Sequence, residues 1–276
     1  MGTLVCVHAH PDDESIATSG IMARAVAAGH RVVLVVATRG EHGEVVPGVL
    51  SEGEQLGIRR SAEVYESARR LGVDRVEFLG YVDSGMMGEP TNDVPWSFWQ
   101  ADVNHAGERL AGILRSEQAD VVTIYDWHGG YGHPDHIQVH RVGKRAAELA
   151  GVEQVFQSTI NRDHLLRGFE AMVGAASDAG AAPPAELGGI PDDLGLPESE
   201  MTHAVTLTAE ELVLKRESMR AHPSQMADDH FMLTLPAPAF AHAFGTEWFV
   251  ADGPDPAPGS LAADLFEPFV RSGQPV

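Results

Sequence analysis

The sequence predicts an α/β protein: a Rossmann-like parallel sheet with helices on both faces, plus a smaller C-terminal α+β extension. Two observations favour this fold class. Apolar, β-branched runs alternate with helical patterns through residues 1–160, which is typical of successive βαβ units. In addition, the run Arg31–Thr38 is almost continuously apolar, as expected for a strand that is covered on both faces.

The predicted strands are short apolar runs bounded by glycine, proline or polar residues. In chain order they are Thr3–Val7, Arg31–Thr38, Arg75–Leu79, Val121–Tyr125, Gln154–Ile160, Ala204–Leu207 and Thr246–Val250. The predicted helices cover Ser15–Ala28, Glu54–Leu71, a segment capped by Asp102 and ending at Ser116, a segment beginning near His136, and Ala209–Ala221. Gly29 and Gly72 follow the first two helices as stop signals, and Thr208 with Glu211 is a capping-box pattern.

The alternation weakens in the second half of the chain. We predict that residues 1–173 form the Rossmann-like region and that 174–276 form a linker and an extension packing on the same domain. Gly174–Pro197 is rich in Ala, Gly and Pro, which favours a linker or an extended loop. The Pro-rich stretch from Pro254 is expected to be loosely ordered.

Charge and cysteine content exclude several classes of protein. The 276 residues include 40 acidic and 19 basic side chains, a formal charge of −21. Such a surface repels phosphate backbones, so we expect no nucleic-acid partner, and it disfavours anionic membranes. The one cysteine, Cys6, fits a cytoplasmic location. No long apolar stretch indicates membrane insertion, and homo-oligomerisation stays open.

A polar cluster follows the first predicted strand directly. His10, Asp12, Asp13 and Glu14 come after the apolar run, and Pro11 restricts the preceding residue to extended dihedrals, which ends the strand. At the carboxyl end of a parallel strand these side chains would face the crevice where α/β proteins bind ligands. Taken alone, the motif is equally consistent with a turn in which an aspartate caps the next helix.

A second His-Pro-Asp follows the fourth predicted strand, in the stretch Val121–His136. In a doubly wound sheet these two strands are neighbours at the topological switch point, so both motifs are predicted to meet there. A catalytic zinc commonly takes three nitrogen or oxygen ligands, and His10, Asp13 and His136 would supply them. His140 lies four residues after His136, and we expect it to be a supporting or packing residue.

The remaining polar side chains of the two motifs suit proton transfer. Asp12 would accept a proton from metal-activated water. His133 would protonate a leaving amine or stabilise an oxyanion, and Asp135 would orient His133 from behind. Tyr131 would donate a hydrogen bond to the polarised carbonyl. Zinc is the expected metal, and ferrous iron tolerates the same ligands.

Four motifs in order resemble the LmbE-like, or PIG-L, family of zinc-dependent de-N-acetylases. They are AHPDDE, RxxE at Arg60–Glu63, DSGM at Asp83–Met86 and YGHPDH at Tyr131–His136. YDWHGGYGHPDH and DSGM are most similar to the mycothiol-pathway members, of which one deacetylates an N-acetylglucosaminyl inositol and another cleaves mycothiol S-conjugates. KRESMRAHPSQ, at Lys215–Gln225, resembles a C-terminal segment of actinobacterial members.

The resemblance implies a role for each matching residue. His10, Asp13 and His136 would be zinc ligands, Asp12 the general base, His133 the acid or electrostatic stabiliser with Asp135 behind it, and Tyr131 an active-site tyrosine. Arg60, Asp83 and Glu44 would bind substrate. The implied reaction is hydrolysis of the N-acetyl amide of a small-molecule amino sugar conjugate.

Three alternatives remain beside this reading. The first is an amidase that cleaves a larger mycothiol-like S-conjugate with the same zinc site. The second is a non-catalytic metal-binding or sugar-binding module. The third is a nucleotide-binding α/β protein, which is disfavoured because the acidic HPDDE stands where a glycine-rich phosphate loop would be.

Overall fold

The computed structural model describes residues 1–178, 193–252 and 261–266. Its centre is a seven-stranded sheet in the order β3-β2-β1-β4-β5-β7-β6. The strands are β1 Thr3–His8, β2 Arg31–Val36, β3 Arg75–Phe78, β4 Val121–Tyr125, β5 Gln154–Thr159, β6 His203–Thr206 and β7 Thr246–Ala251. Strands β1 to β5 are parallel, and β7 runs antiparallel to both β5 and β6.

The connections between the strands contain α-helices. In the described residues they are α1 Asp13–Ala17, α2 Ser19–Ala27, α3 Leu56–Leu71, α4 Val103–Ser116, α5 Gly129–Gly132, α6 Pro134–Ala150, α7 Arg162–Asp178, α8 Ala209–Met219, α9 Phe231–Thr234 and α10 Ala237–Phe244. The segment α5 is a kinked turn, because Gly130 and Tyr131 have non-helical dihedrals. None of the helices in the described ranges is long and apolar enough to cross a membrane.

Strand β1 lies between β2 and β4, so the predicted switch point is confirmed. Val5 pairs with Val33 on one side and with Val122 on the other. The chain after β1 and the chain after β4 therefore leave the sheet at the same edge and side by side. This placement brings the two His-Pro-Asp motifs together.

Helices cover both faces of the sheet, as predicted. On one face, alternate residues of β1 and β2 pack against α4 and α6, with Leu110 and Val142 fully buried. On the other face, the residues in between pack against α2 and α3, with Met22 and Val64 fully buried. This two-sided burial explains the continuous apolar run of β2, because successive side chains alternate between the cores on the two faces of the sheet.

The single helix predicted over Ser15–Ala28 is wrong, because the chain breaks at Thr18. This residue has φ −138° and ψ 6°, and its hydroxyl lies 2.7 Å from Nε2 of the buried His8. The carboxylate of Glu247 then accepts the N–H groups of Gly20 and Ile21 at 2.7 and 2.8 Å. A carboxylate on free N–H groups stabilises a helix start, so a new helix begins there.

The C-terminal segment extends the sheet with β7 and β6. Of the predicted linker, 174–178 continue α7, and 193–197 return toward β5, where Leu196 donates its N–H to the Ile160 carbonyl; 179–192 lie outside the described residues. Of the stretch from Pro254, 261–266 are described and they pack. Leu265 is buried and the Phe266 ring stacks on His30 at 3.8 Å, which differs from the loose order expected there.

Candidate active site

The first motif folds Asp13 back onto His10. Strand β1 ends at His8, and after Pro11 the helix α1 begins at Asp13. The Asp13 carboxylate accepts the backbone N–H of His10 at 2.8 Å, and the same oxygen lies 3.4 Å from Nδ1 of the His10 ring. Both side chains are largely buried. The strand end and the first turn of α1 therefore present one nitrogen and one carboxylate to the same place.

The second motif brings His136 to the other oxygen of Asp13. Helix α6 begins at Pro134, so His136 lies in its first turn, with Nε2 3.4 Å from Asp13 Oδ1. The preceding glycine turn allows this approach. Gly129 has φ 72°, and a Cβ there would lie 2.8 Å from Cβ of His136. A residue with a side chain would push the loop away from the histidine.

The chemistry of these side chains fits a bound metal ion. Nδ1 of His136 donates to the Gly129 carbonyl at 3.2 Å, which leaves a lone pair on Nε2. That Nε2 is buried without a hydrogen-bond partner in the described part of the chain. A histidine oriented by a carbonyl at one nitrogen, with the other nitrogen free, is the usual arrangement of a metal ligand. Imidazole and carboxylate donors suit zinc and also ferrous iron.

Further donors surround the predicted ligands. Within the described ranges, two sets of three side chains have donor atoms within 4.8 Å of one another: His10 with His133 and His136, and His10 with Asp83 and Asp135. Asp13 belongs to neither set, but its two carboxylate oxygens contact His10 and His136. The structure thus brings together the three predicted ligands and offers additional donors around His10.

Asp83 and Asp135 hold the far side of the His10 ring. Nε2 of His10 lies 3.2 Å from Asp135 Oδ2 and 3.5 Å from Asp83 Oδ1. Burial alone would lower the pKa of His10, but its contacts with Asp13, Asp135 and Asp83 outweigh burial and raise the pKa well above the ordinary value. A pocket in which three carboxylates face one imidazole favours a cation.

Asp83, predicted to bind substrate, is buried and already has several partners. One oxygen accepts the His42 N–H at 3.1 Å and the other accepts the Gly85 N–H at 2.8 Å. The structure therefore places Asp83 against His10 and at the base of the loop that follows β3. Its contact with substrate stays a prediction.

His133 is held as a neutral imidazole with its hydrogen on Nε2. Its Nδ1 accepts the backbone N–H of Asp135 at 3.1 Å, so this nitrogen carries a lone pair. Burial, with His10 and His136 nearby, lowers the pKa of His133 to about 3. The group available toward the site is an N–H donor, which suits stabilisation of an oxyanion.

The predicted link between Asp135 and His133 has a different form. We expected the carboxylate of Asp135 to orient His133, but it accepts the Ser84 N–H at 3.0 Å and a short hydrogen bond from the Ser84 hydroxyl, and it faces His10. The backbone N–H of Asp135 orients His133 instead, because His133 is the residue that caps α6. Sequence spacing alone does not distinguish a side-chain contact from a backbone contact.

Asp12, in the first motif, contacts Arg60. The guanidinium of Arg60 is 3.1 Å from Asp12 Oδ1 and also donates to the carbonyls of Pro11 and Gly40, at 2.5 and 2.9 Å. Burial raises the pKa of Asp12, and the charge of Arg60 opposes this shift. Arg60 was predicted to bind substrate; the structure shows it buried and in contact with the carboxylate predicted to be the base.

Tyr131 and Glu44 are the exposed members of the predicted set. Tyr131 is 46% exposed on the glycine turn, and its ring centroid lies 4.9 Å from that of His136. It therefore stands at the mouth of the site. Glu44 is exposed on the loop after β2, and its predicted contact with substrate stays a prediction.

Tyr125 is not among the residues predicted from the sequence to lie at the site, although it contacts the predicted ligand His136. Its ring stacks on His136 with centroids 4.0 Å apart, and its hydroxyl lies 3.0 Å from Nδ1 of His8. As the last residue of β4 it reads as an ordinary strand residue. A signal was available in its position directly before the loop that carries the second motif.

A family model and several known proteins match this chain over most of their length or over half of this chain. The model of the family described as PIG-L, GlcNAc-PI de-N-acetylase, matches residues 5–147. The chain is 39% identical over 259 residues to the 1D-myo-inositol 2-acetamido-2-deoxy-alpha-D-glucopyranoside deacetylase of Acidothermus cellulolyticus, covering 90% of this chain and 88% of that protein. It is 38% identical over 297 residues to the protein of the same name from Thermomonospora curvata, covering 99% and 97%.

Solved structures share the fold at lower sequence identity. The N,N'-diacetylchitobiose deacetylase from Pyrococcus horikoshii has a TM-score of 0.56 and 24% identity, covering 90% of this chain and 83% of that one. The A40926 pseudoaglycone deacetylase Dbv21 has a TM-score of 0.59 and 16% identity, covering 91% and 98%. At these identities the likeness establishes the common fold.

Proposed function

The chain belongs to the PIG-L family of GlcNAc-PI de-N-acetylases, and on this basis we propose that it hydrolyses the N-acetyl amide of an N-acetylglucosaminyl inositol. The products would be acetate and the free amine of the glucosaminyl inositol. The observation that carries the proposal is the match, over nine-tenths or more of the chain, to relatives that are named as this deacetylase. The buried cluster of histidines and aspartates at the switch point supports it.

In the proposal, His10, Asp13 and His136 hold the metal ion. The lone pair of His136 Nε2, which is fixed by the hydrogen bond from Nδ1 to Gly129, supports His136 as a ligand. A bound zinc ion would supply Lewis acidity toward the amide carbonyl and would lower the pKa of a water molecule to about 7. The choice between zinc and ferrous iron is part of the proposal and is decided by measuring the metal in protein purified from cells.

Asp12 is the proposed proton acceptor. Among the carboxylates of HPDDE, Asp13 faces the two histidines and Glu14 is fully buried, whereas the side chain of Asp12 keeps 19% of its surface exposed. It therefore remains reachable by water at the site. Asp12 would take a proton from the attacking water and return it to the nitrogen of the leaving amine, so that one water is consumed for each amide hydrolysed.

His133 is the proposed donor to the developing oxyanion. Its hydrogen-bonded Nδ1 leaves an Nε2–H, and its ring centroid lies 4.6 Å from that of His10. A neutral N–H donor held in a buried site stabilises negative charge without reorganising during the reaction. Tyr131, at the mouth of the site, would add a second donor to the same carbonyl.

A substrate comparison tests the proposed function. Metal-loaded protein is given N-acetylglucosaminyl inositol, free N-acetylglucosamine, or an amide S-conjugate of the mycothiol type, and release of primary amine is followed for each. We expect the highest kcat/KM for N-acetylglucosaminyl inositol. A higher kcat/KM for the S-conjugate would establish the amidase instead, and binding of the sugar without amine release would indicate a binding module.

A further inference from the structure

Glu14, the last residue of HPDDE, connects three distant segments of the chain inside the protein. It is fully buried. Its Oε1 accepts hydrogen bonds from the Ser67 hydroxyl at 2.6 Å and from Nε2 of His222 at 2.7 Å. Its Oε2 accepts the backbone N–H of Asp12 at 2.9 Å. One carboxylate therefore joins helix α3 and the segment after α8 to the residue that we propose as the base.

The backbone of Asp12 needs this support. Asp12 has φ 101° and ψ −28°, and only one other non-glycine residue in the described ranges, Gln118, has positive φ. Left-handed conformations of residues with a side chain are strained and persist only where neighbouring contacts enforce them. Glu14 binds the N–H of Asp12 from inside the protein, and Arg60 binds its side chain.

His222 belongs to the segment KRESMRAHPSQ, which has no role in the proposed chemistry. The segment makes two neighbouring contacts, one with α1 and one with α3. His222 reaches Glu14, and the N–H and hydroxyl of Ser224 both donate to the carboxylate of Glu63, at 3.0 and 2.5 Å. Because Arg60, Glu63 and Ser67 are spaced three and four residues apart, they share one face of α3. Along that face Arg60 contacts Asp12, Glu63 contacts the C-terminal segment, and Ser67 contacts Glu14.

A purely structural role explains this arrangement poorly. His222 and Glu14 are each fully buried, and the Nδ1 of His222 has no hydrogen-bond partner in the described part of the chain. Burying such polar groups is costly, and apolar side chains of similar volume often stabilise a core better. A buried pair with one oxygen directed at a strained catalytic backbone has a geometric function that apolar residues could not replace.

We propose that His222 is a positioning residue that acts through Glu14 to hold Asp12 in its reactive orientation. The proposal deepens the function above and rests on it, since Asp12 matters only if the protein hydrolyses an amide. The C-terminal segment is then part of the catalytic apparatus. Misplacing a reacting group by about 1 Å costs on the order of 10²-fold in rate. Loss of the His222 contact should therefore lower kcat.

The test compares His222→Gln with His222→Asn. The amide of glutamine reaches the position of Nε2 and keeps the hydrogen bond to Glu14, whereas asparagine reaches only the position of Nδ1. We expect His222→Asn to lose kcat roughly 10- to 100-fold with unchanged KM and metal content, and His222→Gln to retain most of the wild-type kcat. Wild-type kcat in His222→Asn, or equal losses in both variants, would overturn the proposal.

Two further measurements keep the test decisive. Hydrogen exchange of a peptide covering residues 9–16 should quicken in His222→Asn but not in His222→Gln, because the Asp12 N–H loses a fixed acceptor. This readout needs no substrate, so it separates failure of the positioning proposal from failure of the proposed function. If His222→Asn does not fold, Ser67→Ala, which removes the other donor to the same Glu14 oxygen, must show a smaller loss confined to kcat; a wild-type kcat would refute the proposal.

Discussion

The guanidinium of Arg60 lies 3.1 Å from Oδ1 of Asp12 and closes over the backbone of the motif through the Pro11 carbonyl. The RxxE motif on α3 thus contacts the residue proposed as the general base. Arg60 is only 4% exposed. Its position makes Arg60 a partner of Asp12. Loss of such a partner should affect mainly kcat, whereas loss of a substrate-binding arginine should affect mainly KM.

Changing Arg60 to Met should lower kcat more than it raises KM. Methionine keeps the apolar volume but removes the charge that holds Asp12, and we expect kcat to fall roughly 10- to 100-fold with full metal content. Steady-state kinetics with elemental analysis checks this. Arg59→Met is the matched control, since Arg59 pairs with Glu54 near the surface and should leave the kinetics unchanged. A KM effect larger than the kcat effect would restore direct substrate binding by Arg60.

Removing any proposed ligand should remove metal and activity together. His10→Ala, Asp13→Ala and His136→Ala each leave two of three protein donors, which is too few for a stable catalytic site. Elemental analysis and amine release measured on the same samples check this. His140→Ala is the control, because His140 lies four residues after His136 but bonds the Tyr125 carbonyl at 3.1 Å and should keep the metal. Full metal content in all three ligand variants would disprove the assignment.

His133 variants distinguish an oxyanion donor from a proton donor. His133→Ala should lose roughly 10²- to 10³-fold in kcat, as expected when one oxyanion donor is removed, while metal is retained. His133→Gln keeps an N–H donor near Nε2 but transfers no proton, so it should recover part of the activity. If glutamine were as inactive as alanine, the acid role predicted as an alternative from the sequence would be favoured.

His203 should make the protein sensitive to acid. It is buried on β6, and burial lowers its pKa to about 4 from an ordinary value of 6.5. Between these two values the unfolded chain binds a proton that the folded protein does not. Stability is therefore present above pH 6.5 and falls as the pH drops toward 4, by about 3 kcal/mol in total.

His203→Gln removes this proton linkage. Its free energy of unfolding, measured by urea titration from pH 7 to pH 4.5, should fall less steeply than that of the wild type. Other buried groups titrate equally in both proteins, so the difference between the two curves isolates His203. Parallel curves would show that His203 does not carry the effect.

The sequence was sufficient to predict how the two motifs meet. Each motif follows the end of an apolar strand, β1 or β4, and the carboxyl ends of neighbouring parallel strands must lie side by side. The proximity of His10, Asp13 and His136 follows from that rule. This placement depends on the order of the strands and not on which apolar side chains fill the core.

Contacts that depend on tertiary detail were not predictable. Asp135 is one residue from Pro134 and reads as a partner of His133, but its carboxylate turns to Ser84 and His10. The break at Thr18 depends on His8 and on Glu247, which is more than 200 residues away. Long-range hydrogen bonds of this kind leave no periodic signal in a sequence, because the partners are set by the packing of separate elements.

We propose that this site hydrolyses an N-acetyl amide with Asp12 as the base. The most direct measurement is the stoichiometry of acetate and primary amine released from N-acetylglucosaminyl inositol by metal-loaded wild type and by Asp12→Asn, with bound metal determined in both. We predict one acetate for each amine in the wild type, and a rate about 10²- to 10⁴-fold lower in Asp12→Asn at full metal content. Absence of acetate release by the wild type would disprove the N-deacetylase activity, and an unchanged rate in Asp12→Asn would remove Asp12 from the role of base.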